Sequence, residues 1–293
     1  FVYFSISFYN DKIDLNFFVR SFLIILLLGM LIGVLQWLPW PGRELLLRLY
    51  PFQDGEDQFA QLQSDLHVVR IHGWAQHATA NGGLAMLSVV FAISVFNYLK
   101  KFKILCSFII ILSVINIIIS QARAGMLALV FAIILMYFVH IYLTKKPFKH
   151  TIKYIISVGF IIFLGRSLYH NGNPFIHRII YRWDALFESS GGARVDQVDY
   201  GLSLLNSPLE YIFGISRTVQ TRSNSVFHIE VEPFNIFILN GLFGFILQYG
   251  LILLILIYLF KNLMKMTYNP TITTLLVSSF VILSSYQMFS IAY

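Results

Sequence analysis

Seven blocks of apolar residues, at about 20–39, 82–99, 103–119, 124–143, 152–165, 235–260 and 271–291, govern what this chain can become. They lie near the roughly 20 residues that a helix needs to cross about 30 Å of hydrocarbon. Hydrophobic residues fill 57% of the 293 positions and charged residues only 12%, a balance foreign to a soluble globular domain. In lipid a spanning segment must satisfy its own backbone polar groups, and segments of this length do so as helices. The expected fold is therefore all-α, a polytopic transmembrane helix bundle, with residues 1–293 as a single integral membrane domain. Phe1 to Tyr9 reads as the tail of a further apolar segment rather than as a signal peptide, which points to sequence ahead of Phe1. Cys106 is the only cysteine, so an internal disulfide and a cysteine-built metal site are both excluded.

Seven crossings sort the charges by type. All ten lysines fall on one side and ten of the eleven arginines on the other. The lysines crowd the short hairpins 100–103 and 144–151 and the stretch after 260, whereas most arginines lie in two long loops, about 40–81 and 166–234. Positive residues set orientation mainly from short loops close to helix ends, so the lysine side is expected to be cytoplasmic and both long loops extracytoplasmic. The cytoplasmic side then carries eleven cations and two acids, and the outer side ten arginines and twelve acids; the net +9 and −2 make up the +7 of the whole chain. The basic character thus reports topology, and it argues against nucleic-acid binding, which wants a basic stripe on one accessible face. Guanidinium forks match phosphate oxygens bidentately and are less strongly hydrated than ammonium groups, so an outer surface with only arginine cations suits a diphosphate at the membrane. The plainer alternative is that these arginines pair with the outer acids or with lipid headgroups.

Three constellations stand above composition. Arg70-Ile-His-Gly73-Trp-Ala-Gln-His77-Ala-Thr-Ala-Asn81 precedes a crossing. Its plain reading is an ordinary helix start, with Asn81 or Thr79 as cap and Arg70 snorkelling. Ser120-Gln-Ala-Arg123-Ala-Gly125 joins two crossings with almost no loop and sets a guanidinium at the outer membrane boundary, where it is either a functional cation or an interfacial anchor. In the second long loop Gly191-Gly192-Ala-Arg194 precedes Val195, Val198, Leu202 and Leu205 at helical spacing, which predicts a helix lying on the membrane or the bundle. An anion would find Arg194 near that helix's N-terminus. Farther on stands His228-Ile-Glu230-Val-Glu232-Pro233. If that stretch is extended, 228, 230 and 232 share a face, and clustered carboxylates beside apolar surface have their proton affinity raised toward that of a general base. The alternative is a solvated acidic loop.

Taken in order, these motifs make the chain, from about Arg70 to Phe260, resemble the O-antigen polymerase and O-antigen ligase superfamily of bacterial envelope glycosyltransferases. Arg70-x-x-Gly73 with Asn81 is similar to the family's motif before a crossing, and Ser120-x-x-Arg123-x-Gly125 to its serine-arginine-glycine hairpin. Arg194, Pro208 and Gly214 are similar in order and spacing to the large-loop pattern. Gly241-Leu-Phe-Gly244 fits the ligases' Gly-x-x-Gly, but eleven residues upstream, where they carry histidine, this chain has Glu230. His228 is two residues out of register. Glu230-Val-Glu232 is similar instead to the acidic sequence of polymerases, so the resemblance favours the polymerase over the ligase.

What the resemblance implies is an inverting, metal-independent glycosyl transfer at the outer face of a bacterial inner membrane, in lipopolysaccharide biosynthesis. The donor would be a glycan on undecaprenyl diphosphate, and the acceptor a lipid-linked repeat unit. Membrane lipid and a chain-length regulator would be its partners, with no cofactor. Arg123, Arg194 and Arg70 would neutralise the leaving diphosphate, Glu230 would act as base, and Glu232 or His228 would orient or tune it. No Asp-x-Asp occurs in the chain, so no obvious motif holds a divalent metal. Among the aromatics, Trp74 and Trp183 are candidates for stacking on sugars. The rival classes are the ligase, which differs in its acceptor, and a transporter of lipid-linked or anionic cargo, which calls for internal repeats and facing broken helices.

Overall fold

The computed structural model describes residues 15–49, 71–75, 78–144, 177, 180, 193–216, 231–264 and 270–292, and among these every regular element is a helix. In chain order they are α1 (Leu15–Trp37), α2 (Arg43–Leu49), α3 (Ala78–Leu99), α4 (Lys103–Ser120), α5 (Arg123–Thr144), α6 (Ala193–Ser203), α7 (Pro208–Phe213), α8 (Glu232–Met264) and α9 (Pro270–Ala292). Five of them, α1, α3, α4, α5 and α8, are long and apolar enough to cross a bilayer, as befits a membrane protein. Helix α9 covers the last expected crossing. The crossing expected at 152–165 and the apolar start at 1–9 lie outside the described residues. The helices fall into two compact units, one built on the chain up to Met136 with Leu259–Ser285, the other on Tyr137–Tyr258 with the chain's end.

In the first unit α1, α3 and α4 pack together. Val19, Leu23, Leu26, Met30 and Val34 recur on α1 at steps of three and four residues, and all are buried. The opposite face of α1 is equally apolar but exposed, with Phe17, Ile25 and Leu28 outward. Phe22 meets Phe91 of α3 edge to face, their ring centroids 4.8 Å apart. The last turn of α3 widens into a π-turn, Val95–Leu99, closed by Lys100 in the left-handed region with its N–H on the Val95 carbonyl. Phe102, also left-handed, then starts α4. This tight reversal leaves Lys100, Lys101 and Lys103 exposed. At the far end of α4 only Gln121 and Ala122 separate it from α5, Gln121 turning left-handed to place its N–H on the Ile118 carbonyl. Lysines and Arg123 therefore stand at opposite ends of α4, in line with the charge count.

The second unit turns on α8. The expected crossing at 235–260 falls within α8, but Gly241 takes φ 64°, ψ −172°, a region essentially reserved for glycine, and interrupts the helix. Residues 242–264 alone supply about 35 Å of helix, enough for a bilayer. The break exists because two backbones touch. A side chain on Gly241 would strike the Ile212 carbonyl and the Gly214 N–H, and one on Gly214 would strike Leu239 and Asn240. Ile215 N–H donates to the Ile238 carbonyl at 3.0 Å. Leu205, Ile215 and Ile238 form a small core beneath this knuckle, against which Val198 and Leu202 of α6 pack. The stripe expected on α6 thus serves packing, except that Val195 stays exposed and Leu205 lies past the helix end.

Candidate functional site

The first two motifs come together at one end of the first unit, where α1 and α4 end and α3 and α5 begin. Gln36, fully buried in the last turn of α1, grips Gly73 through its side-chain amide. Its Nε2 donates to the Gly73 carbonyl at 2.9 Å and its Oε1 accepts from the Gly73 N–H at 3.0 Å. Gly73 needs its freedom, because φ is +61° and a Cβ there would meet the Asn81 amide at 2.7 Å. His72, also buried, donates from Nδ1 to the Ala75 carbonyl, closing the turn.

Behind that turn two asparagines bind three segments. Asn81 Nδ2 donates to Asn116 Oδ1 at 3.1 Å and to the Ile71 carbonyl at 3.4 Å. Asn116 Nδ2 donates to the carbonyls of Met30 and Leu112. Gly33 of α1 leaves the space into which the Asn116 amide fits. Ile71 N–H reaches the Ile119 carbonyl at 3.3 Å. Gly82 and Gly125 bring α3 and α5 into backbone contact: a Cβ on Gly125 would lie 2.9–3.0 Å from Gly82 backbone atoms. Such close approach through small residues is how helices gain packing in lipid, where hydrophobic association gives little.

This frame carries two arginines. Arg123 is half-buried and opens α5. Arg43 opens α2, donates from Nε to the Gln36 carbonyl at 2.8 Å, and keeps a buried Nη2 without a hydrogen-bond partner. Burial lowers the Arg43 pKa from its ordinary value, yet a guanidinium remains a cation. The N-terminus of a helix already carries partial positive charge, so an arginine in its first turn adds like charge to like. An anion nearby relieves that cost. Helices α2 and α6 each also carry an acid in the first turn, Glu44 and Asp196, and Arg194 is the second residue of α6.

Of the expected site residues, then, Arg123 is placed beside the packed motif glycines and Arg194 is placed by its backbone in α6. Arg70, His228 and Glu230 lie outside the described residues, as do His77 and Trp183. Two expectations are corrected. Asn81 is no cap, because α3 starts at Ala78 and Asn81 is buried within the helix as a bridging amide. Glu232 does not continue an extended strand: after a bend at Val231 it is the first residue of α8, whose N-terminal N–H groups turn to the Val231 carbonyl. There its negative charge suits the helix end, while partial burial raises its pKa above the ordinary carboxylate value. Trp74 lays its indole on Gly29 of α1, so packing accounts for at least one side of that ring.

Sequence reasoning passed over Gln36, Asn116 and Arg43. The first two were visible as amides at the end of or inside an apolar block, where a polar residue is a candidate by default. Arg43 was announced by Pro41-Gly42, a turn ahead of a helix start. The chain matches no family model, no curated protein and no solved structure.

Proposed function

We propose that this chain is a lipid-linked oligosaccharide polymerase of a bacterial inner membrane, acting on its outer face. The observation that supports it most is the convergence of the glycine-asparagine and serine-arginine-glycine motifs on one bundle end beside Arg123. Residues far apart in sequence pack together there, at the end of the unit where Arg123 opens a helix, a setting that favours an anion. The anion in this reading is the diphosphate that leaves when an undecaprenyl diphosphate-linked glycan is transferred to a lipid-linked repeat unit. Arg123, with Arg194 and Arg70, stabilises the charge that develops on the leaving group, and Glu230 removes the proton of the attacking sugar hydroxyl. Glu232, held at the start of α8, and His228 assist Glu230 by orienting it or raising its proton affinity.

The decisive experiment incubates the purified protein with a synthetic lipid-linked repeat unit. A ladder of products supports the polymerase. No ladder, but transfer to lipid A core when that acceptor is added, makes the chain a ligase, and neither product removes the glycosyltransferase reading. One observation favours the transporter class: Gly241 breaks a helix, as transporter sites require. That break lies ahead of a full-length crossing rather than at its middle, which weighs against a substrate site at the midplane.

A further inference from the structure

Helix α7 has only one turn and a half, yet it is firmly built. Ser207 caps it, its hydroxyl accepting from the Glu210 N–H, with Pro208 in the first helical position. Glu210 reaches back so that Oε2 accepts from the Asn206 N–H at 2.6 Å. The Gly214 N–H closes the other end on the Glu210 carbonyl at 2.7 Å. Polar groups thus tie down the capped side. Leu209, Ile212 and Phe213, at i, i+3 and i+4, form one face, and that face is bare: they are 66%, 44% and 60% exposed.

What lies next to that face identifies its partner. The Phe213 ring sits against Phe243, centroids 6.2 Å apart, and Phe243 is itself 56% exposed on the first turn of the segment that crosses the bilayer. The Gly214 and Gly241 backbones interlock at the same level. Residues 242–264 give about 35 Å of helix against about 30 Å of hydrocarbon, so their first turn stands at the membrane boundary. A short helix pinned to that turn, with its apolar face continuous with the lipid-facing side of Phe243, cannot expose the face to water without stranding three large apolar side chains.

We infer that α7 is an interfacial membrane element, its Leu209, Ile212 and Phe213 face immersed in the acyl chains of the bilayer and its Asn206, Ser207 and Glu210 side turned to the headgroups. The helix then fixes the depth of the knuckle formed by Gly214 and Gly241, and with it the level at which Glu232 emerges. The inference rests on residues 242–264 crossing a bilayer and is independent of any catalytic role.

Spin labels on single cysteines test it, in vesicles of phosphatidylethanolamine and phosphatidylglycerol. Cys106 is fully buried, and the wild-type protein supplies the background. Leu209→Cys and Phe213→Cys should collide more with oxygen, which concentrates in lipid, than with a water-soluble nickel chelate; Asn206→Cys should show the reverse. Leu253→Cys, exposed on the crossing, is the reference for lipid contact. Preference for nickel at 209 and 213, with oxygen favoured at 253, overturns the inference by placing α7 in water. Exclusion of both reagents at 209 and 213 overturns it equally, because protein then covers the face. Preference for nickel at 253 overturns the crossing itself.

Discussion

In the proposed function Arg123 does different work from the pair Asn81 and Asn116, and substitutions separate the two. If Arg123 holds the leaving diphosphate, Arg123→Lys replaces a planar fork with a point charge and should lower chain extension by about 10²–10³-fold, equivalent to losing one charge-stabilising contact. Its melting temperature in detergent should stay near that of the wild type. Unchanged extension would make the residue an interfacial anchor. Glu230→Gln keeps shape and deletes basicity, so it should lose about 10²–10⁴-fold in rate while still binding the donor. An active Glu230→Gln beside a dead His228→Ala would return the base to the imidazole. The asparagines should affect stability. A double-mutant cycle of Asn81→Ala and Asn116→Ala in detergent unfolding should give a coupling of about 0.6–1.7 kcal/mol, the range of interhelical hydrogen bonds in membrane bundles. A coupling of zero would mean that the 3.1 Å contact contributes nothing.

At the scale of elements, the glycine knuckle is the feature most open to test. Gly241→Ala places a Cβ where φ is +64° and the Ile212 carbonyl already stands. Strain of this kind amounts to about 1–3 kcal/mol, and the adjoining backbone must also move apart. The expected outcome is cleavage by added protease between residues 204 and 216, with insertion of the crossing unchanged. Resistance equal to the wild type would show that the knuckle relaxes without loss. Gly241 was readable as a motif residue and the stripe of α6 as a packing face. The break in α8 was not, because its cause is the backbone of residues 212–214 rather than any residue near Gly241 in the chain.

For the whole molecule, orientation is the first question, and the charge count predicts a pattern that can be tested. Cysteines placed singly at Ser190 and Lys146 should react with an impermeant reagent from outside only at the first. The opposite labelling would reverse the orientation and move the proposed site to the cytoplasm. Within the first unit, the exposed lysines of the 100–103 hairpin and Arg123 stand at opposite ends of α4, as that pattern requires.

Length and apolarity alone determined that the described residues are helical, with segments long and apolar enough to cross a bilayer, because hydrocarbon leaves a backbone few ways to satisfy its polar groups. Charge type divided its two ends, because positive residues in short loops report orientation. Which face of each helix is buried was not legible: in lipid the outer face is as apolar as the inner, so Phe17 and Val19 look alike in sequence while one is exposed and the other buried. Nor could the sequence say that Gly73, Asn81 and Gly125 act as packing and bridging residues. That followed only when Gln36, Asn116 and Gly82 were brought against them, since a close backbone approach or a shared amide needs a partner that the chain supplies from far away.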